Sequence, residues 1–357
     1  MTTPFEELLE LPVREKLAHF LRSEKIYHVI SAHQFDRATL ELLCRTATLL
    51  RKIARANEGA EWMRTLLSTK SAMLYFTQPS TRTYLSFVRA CQYLGMGYAE
   101  VRDPRISSAM KGESDIDGVR TFSSYFDLIV MRHVESGFAE RTAHMMNAIE
   151  RGIPIISAGA GMDEHPTQAL LDIYTLVRSF ERRRRGIEGI HIAFVGDLKR
   201  GRTVRSLVTL LTRYPEVKLT FVSPESLRIR EDVSQMLARE RVDYSETDTL
   251  ASVLTEVDAI YMTRIQDEYD DAADKRNPVD YSPFHLTLSD VERMKPSAVV
   301  MHPFPRRAEL DPAIDANPRA MYWRQERNGM WMRAALIAHL FNVEGRVLDY
   351  YARHHNY

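Results

Sequence analysis

The sequence predicts an α/β protein made of two doubly wound parallel-sheet domains joined by helices, and three observations carry that prediction. The chain has 357 residues, more than one hydrophobic core usually serves, because domains cluster near about 100 to 150 residues. From Ala72 onward short apolar runs alternate with helical patterns, which is how strands buried under crossover helices read. Eight such runs occur, and eight strands suit two sheets of four or five better than one.

Taken in order, Phe5, Leu8, Leu9, Leu17, Phe20 and Leu21 recur at helical spacing around Pro12, so residues 1–27 read as an N-terminal extension of one or two short amphipathic helices. A second helix starts at Asp36, with Leu40, Leu43, Cys44, Ala47 and Leu50 on one face. Strands are expected at Ala72–Phe76, Tyr98–Val101, Leu128–Met131, Ile153–Ser157, Ile190–Val195, Leu219–Val222, Ala259–Met262 and Ala298–His302. The first domain is expected over 28–168, completed by a C-terminal helix at about 328–357, and the second over 169–327. The division falls by the helix after Pro166, rich in Leu170, Leu171, Ile173, Leu176 and Val177, which ends in an arginine run at 182–185. That run reads as a solvated helix end.

Lys plus Arg and Asp plus Glu each number 48, while hydrophobic residues make up 45% and charged residues 27%. This is an ordinary globular balance. No global field draws nucleic acid or an anionic membrane, so any anion must be recognised locally. Cys44 and Cys91 are the only cysteines, which excludes a disulfide framework or a cysteine zinc cluster within one chain. The first ten residues carry Glu6, Glu7 and Glu10 without a basic region or an apolar stretch, and no run of about 18 apolar residues occurs, so a cytoplasmic protein is expected.

In open α/β sheets ligands bind beyond the carboxyl ends of the strands. The residues that follow the apolar runs here form a cationic, hydrogen-bonding rim: Ser80, Thr81, Arg82 and Thr83; Arg132; His165 and Gln168; Lys199, Arg202 and Thr203; Arg264 and Gln266; and His302, Pro303, Phe304, Pro305 and Arg306. Pro79 stops the first strand and Ser80 can cap a helix, which puts Thr81, Arg82 and Thr83 in its first turn. Free amides, the positive end of the dipole, hydroxyls and a guanidinium would then converge on one anion, most naturally a phosphate. The plainer alternative is a capped helix with a surface arginine. Gly196 to Thr203 has the glycine spacing of a P-loop, with Arg202 in place of lysine. A nucleoside triphosphatase would also need a magnesium-holding aspartate at a later strand end, where Thr263 and His302 stand instead. The turn at Gly159 and Gly161 lacks the third glycine of a dinucleotide fingerprint, with Glu164 in its place. His165 alone admits both a structural and a catalytic reading.

Five motifs in order then resemble one family. Ser80–Thr83 with Leu85, Ser86 and Phe87 resembles the carbamoyl phosphate signature of the aspartate and ornithine carbamoyltransferases, and His165, Pro166, Thr167, Gln168 resembles their second signature. Gly196–Thr203, Thr263–Gln266 and His302–Arg306 resemble segments of the aspartate branch, and the ornithine branch's His-Cys-Leu-Pro run is absent. The match runs from about His28 to Phe341. Gln78, Phe304 and Met110 stand where the family often has glutamate, leucine and lysine.

The resemblance implies an active site in the cleft between the two domains and transfer of a carbamoyl group from carbamoyl phosphate to the amine of L-aspartate, in pyrimidine biosynthesis, with no metal or organic cofactor. It implies that Ser80, Thr81, Arg82 and Thr83 hold the phosphate, and that Thr83, Arg132 and His165 contact the carbonyl oxygen. Gln168 and the backbone of Pro303 and Phe304 would position the carbamoyl NH₂, while Arg202, Arg264 and Gln266 would grip the aspartate carboxylates. Ser107 and Lys111 would reach the phosphate of a neighbouring subunit, which makes the expected assembly a homotrimer with shared active sites. Whether a regulatory subunit or a dihydroorotase also binds is left open, and no nucleic acid or membrane partner is expected. Two other readings are a carbamoyltransferase for another amino acid acceptor and a catalytically silent regulatory paralogue.

Overall fold

The apolar runs become parallel strands because a strand buried on both faces carries no polar side. The computed structural model describes residues 4–103, 112–159, 164–181, 186–266 and 280–354. The chain forms two compact units, Met1–Leu171 with Gly329–Tyr357, and Asp172–Asn328.

In the first unit a hairpin of β1 (Leu21–Arg22) and β2 (Lys25–Ile26) precedes a parallel sheet of β3 (Ser71–Phe76), β4 (Gly97–Val101), β5 (Leu128–Arg132) and β6 (Ile155–Ser157), in the order β4-β3-β5-β6. From β3 the chain first adds β4 on one side, then returns to add β5 and β6 on the other. The reversal of strand order therefore lies between β3 and β5. The helix Arg37–Ile53 starts where Asp36 accepts the Thr39 amide at 2.8 Å and buries Leu40, Leu43, Cys44, Ala47 and Leu50, as its spacing predicts. The extension supplies two short helices, Phe5–Glu10 and Val13–Ala18, and its Leu8 and Phe20 are fully buried beside Met73, Ile129, Phe138 and Ile155.

The second unit holds β7 (His191–Val195), β8 (Lys218–Val222), β9 (Asp243–Thr247), β10 (Ala259–Met262) and β11 (Val299–Met301), all parallel, in the order β11-β10-β7-β8-β9. Here the reversal lies between β7 and β10. Its core gathers Val195, Ile260, Met262, Val300, Leu286 and Tyr322.

The α/β class agrees with the sequence, and three details correct it. The C-terminal helix expected at 328–357 is two helices, Tyr322–Leu340 and Glu344–His354, separated by a turn in which Asn342 has φ +54°. Strand β9 was not anticipated, nor was the β1–β2 hairpin. The arginine run at 182–185 lies outside the described residues. No helix among the described residues is long and apolar enough to cross a membrane.

Candidate active site

At each reversal of strand order the connections leave two neighbouring strands in opposite directions, and Ser80–Thr83, Arg132, Arg202 and Arg264 follow the strands at these two places. In the first unit Phe76 pairs in register with Arg132, and the Gln78 amide donates to the Arg132 carbonyl at 3.2 Å, so the segment after β3 is laced to the end of β5. Ser80 occupies the N-cap of the helix Thr81–Leu94 but its side chain makes no capping bond. The amides and dipole of that first turn are thus not quenched by the protein's own hydroxyl. Thr83 is buried, whereas Thr81 and Arg82 are exposed.

Arg132 is buried, and its Nη1 donates to the Ala158 carbonyl at 3.3 Å. Gly159 follows with φ +88°, and a Cβ there would come within 2.9 Å of His165 Cδ2 and 3.3 Å of Arg132 Nη1. The missing side chain is what allows an imidazole and a guanidinium to share this corner. His165 is itself buried, and Thr167 Oγ1 stands 3.5 Å from its Nδ1. Its carbonyl accepts the Gln168 amide at 3.0 Å, opening the helix Pro166–Glu181, and the Gln168 side chain is buried as well.

Supporting contacts that the sequence did not reveal surround this corner. Glu164, next to His165, accepts Ser31 Oγ at 2.9 Å and the Ala32 amide at 2.7 Å. His133, next to Arg132, takes the Glu135 amide on Nδ1 at 3.1 Å, which leaves Nε2 to donate to Asp115 at 3.1 Å. Asp115 also accepts the Tyr75 hydroxyl at 2.8 Å, and burial, with that carboxylate beside it, raises the Tyr75 pKa. Partners that distant in sequence leave no spacing signal.

In the second unit Gly196 ends β7 with φ +115°, and a Cβ there would lie 2.4 Å from the Thr263 carbonyl, so β7 and β10 approach too closely for any side chain. Asp197, fully buried, accepts the Arg200 amide at 3.0 Å and the Gln266 amide at 3.2 Å. The loop therefore folds around the protein's own carboxylate, which argues against the P-loop alternative, whose amides must face a phosphate. Arg200 Nη1 donates to the Gln266 carbonyl at 2.9 Å and ties the same two turns together. Arg202 begins the helix Arg202–Leu211 and is half-buried, as are Arg264 and Gln266 after β10.

After β11, His302 is fully buried, with Nε2 2.8 Å from Glu309 and Nδ1 accepting the Phe304 amide at 2.8 Å. Phe304 has φ +57°, precedes a cis peptide to Pro305, and lies 4.9 Å from the Trp323 ring. Arg306 pairs with Asp315 through both Nη atoms. Pro303 and Phe304 thus sit on a turn fixed from both sides. Ser107, Met110 and Lys111 lie outside the described residues. Cys44 and Cys91 are buried free thiols, and burial pushes the Cys91 pKa up to about 12, the behaviour of inert core residues.

Comparison with known proteins accords with this geometry. Residues 27–178 match the carbamoyl-P binding domain of aspartate/ornithine carbamoyltransferases, and residues 188–340 match their Asp/Orn binding domain. Aspartate carbamoyltransferase 2 of Pisum sativum, named as chloroplastic, is 40% identical over 318 residues, covering 87% of this chain and 77% of the relative. The aspartate carbamoyltransferase catalytic subunit of Vibrio campbellii is 36% identical over 318 residues, covering 88% and 96%. Among solved structures, aspartate transcarbamoylase of Trypanosoma cruzi in complex with N-(phosphonacetyl)-L-aspartic acid superposes with a TM-score of 0.79 at 35% identity, covering 89% of this chain and 96% of that one. The catalytic subunit of M. Jannaschii aspartate transcarbamoylase gives 0.77 at 35% identity, covering 88% and 98%. With both domain models matched in order over most of its length, the chain belongs to the aspartate/ornithine carbamoyltransferase family.

Proposed function

We propose that this chain is an aspartate carbamoyltransferase, which moves the carbamoyl group of carbamoyl phosphate onto the α-amino nitrogen of L-aspartate to give N-carbamoyl-L-aspartate and phosphate. The observation that carries the choice of acceptor is the pair of half-buried arginines, Arg202 and Arg264, at the reversal of the second sheet. Two guanidiniums suit two carboxylates and repel a cationic side chain such as that of ornithine.

In this reading the phosphate lies at the open N-terminus of the helix Thr81–Leu94, against Ser80, Thr81, Arg82 and Thr83. Arg132, His165 and Thr83 donate to the carbonyl oxygen. The aspartate amine, deprotonated, attacks the carbamoyl carbon and the oxygen takes up negative charge. As the tetrahedral intermediate collapses, the carbon–oxygen bond to phosphate breaks and phosphate leaves with the electron pair, accepting the amine proton. Fixed donors around such an oxyanion contribute about 3 to 4 kcal/mol each. Gln168 and the turn at Pro303 and Phe304 hold the carbamoyl NH₂, while Arg202, Arg264 and Gln266 hold aspartate. Catalysis then rests on preset charges and orientation.

The proposal extends to a homotrimer in which Ser107 and Lys111 complete the phosphate site of a neighbour, and to a cytoplasmic place of action, although the plant relatives are named as chloroplastic. Solution mass together with the activity of dilute, dissociated protein tests the shared site: monomers should be nearly inactive. The acceptor is tested by supplying purified protein with carbamoyl phosphate and a panel of amino acids. L-aspartate should be carbamoylated fastest, and faster turnover of ornithine would refute the assignment.

A further inference from the structure

Asp172, in the helix Pro166–Glu181, is fully buried. A carboxylate so placed persists only if donors meet both oxygens. Here Oδ2 accepts the Tyr261 hydroxyl at 2.7 Å and Oδ1 accepts Gln325 Nε2 at 2.7 Å. Both donors pass the connection on. Because an ionised carboxylate only accepts, Gln325 must point its nitrogen at Asp172 and its Oε1 the other way, where it takes the His302 amide at 2.9 Å. His302 in turn accepts the Phe304 amide at 2.8 Å.

On the other side the Tyr261 hydroxyl is also bonded to Thr203, the neighbour of Arg202, and Tyr261 stands three residues before Arg264 at the end of β10. Burial, with Asp172 beside it, holds the Tyr261 pKa far above the ordinary phenol value, so the hydroxyl keeps the proton it donates. One carboxylate thereby reaches the turns after β7, β10 and β11. Tyr261, Gln325 and His302 are all fully buried, so water offers no substitute partner.

We propose that Asp172 is a positioning residue whose carboxylate sets the register of the turns bearing Arg202 and Arg264, and with them that of the neighbouring turn bearing Phe304. The assignment of the Arg202 and Arg264 turns to aspartate, and of the Phe304 turn to the carbamoyl NH₂, rests on the carbamoyltransferase reading above. Asp172→Asn preserves shape but turns one acceptor into a donor. If the new NH₂ faces Gln325, that amide must flip and set its own NH₂ against the His302 amide. If it faces Tyr261, the phenol must accept, and its bond with Thr203 must reverse. Either way a tether to one site turn is disturbed.

The test combines steady-state kinetics with amide hydrogen exchange on the full chain, comparing Asp172→Asn and the milder Tyr261→Phe with the unsubstituted protein. For Asp172→Asn the KM for L-aspartate should rise about tenfold or more, and by more than the KM for carbamoyl phosphate, which keeps its phosphate contacts in the first unit. Exchange at His302 and Phe304 should quicken by about tenfold with β3 and β5 unchanged. Tyr261→Phe should raise the aspartate KM by about threefold and leave His302 protected. Unaltered exchange at His302 and Phe304, or an equal rise in β3 and β5, overturns the proposal, since a general loss of stability would move both sheets. If the unsubstituted protein carbamoylates no aspartate, the functional reading falls, and the exchange result still decides whether Asp172 holds the turns.

Discussion

The two sheets meet the same topological problem and solve it with opposite chemistry. At the reversal between β3 and β5, the helix Thr81–Leu94 keeps its N-terminus uncapped by the Ser80 side chain, with Thr83 buried in the first turn. At the reversal between β7 and β10, the amides of Arg200 and Gln266 are already satisfied by buried Asp197. The first arrangement leaves its helix start without a side-chain cap from Ser80, whereas the second satisfies its turn amides with Asp197 and carries Arg202 and Arg264 beside them. A tetrahedral phosphate is well served by converging amides and hydroxyls, while paired carboxylates are well served by guanidinium forks. On the reading proposed above, the difference is why one fold, used twice, would take two different anions.

Several substitutions should break or sharpen this contrast, beginning with the largest effect. Arg132→Ala should lower turnover by at least about a hundredfold with the fold retained, because it removes the oxyanion donor proposed for the first unit. Circular dichroism beside initial rates checks it, and unchanged product formation would remove Arg132 from the chemistry. Arg264→Ala should raise the KM for L-aspartate by about thirtyfold while carbamoyl phosphate binding stays within about twofold, the signature of losing a charged contact to one substrate only. A parallel loss of carbamoyl phosphate affinity would erase the division of labour between the units. Gly159→Ala should cut kcat by about tenfold, since the added methyl would lie 2.9 Å from His165 Cδ2 at a backbone φ of +88°.

The smallest expected effect is on stability against acid. Burial pushes the His28 pKa down from 6.5 to about 4, its Nδ1 accepts the Ile155 amide at 3.1 Å, and its Nε2 is paired with Asn147 at 3.1 Å. Between those two pH values the unfolded chain binds the proton and the folded one does not. The first unit should therefore hold this stability above pH 6.5 and lose it as pH falls toward 4, by at most about 1.4 kcal/mol per pH unit. His28→Gln should flatten that slope in denaturant melts, and a slope identical to that of the unsubstituted protein would contradict the account.

What the sequence revealed follows a physical pattern. Ser80 to Thr83 were legible because a buried strand, a proline and a helical face bracket them, so their place in a first turn followed from periodicity alone. Arg132 and Arg264 were legible because each ends a four- or five-residue apolar run that could only be a strand. Strand β9 was not, since Asp243–Thr247 lies at the sheet edge with much of its length exposed and so has no apolar run to announce it. The turn at Asn342 that divides the C-terminal helix did leave a trace, since Asn342 and Gly345 interrupt the helix formers there, but the apolar pattern on either side masked it. Asp172 reads as one polar residue in an apolar helix, and only tertiary structure reveals that Tyr261 and Gln325 close around it. Gly159 illustrates the same limit: a glycine-rich turn was visible, but not that the space beside it belongs to His165 and Arg132.

The function proposed above has the first reversal take carbamoyl phosphate and the second L-aspartate, and a bisubstrate mimic tests it most directly. Calorimetric titration with N-(phosphonacetyl)-L-aspartic acid, the compound bound in the Trypanosoma cruzi relative, should give an affinity at least about a thousandfold above that of inorganic phosphate or a free dicarboxylate, because linking the ends spares a second association cost. The gain should vanish in Arg264→Ala and in Arg132→Ala alike. Binding of the mimic no tighter than phosphate alone would contradict the account, since it would mean that the two clusters of charge never serve the same molecule.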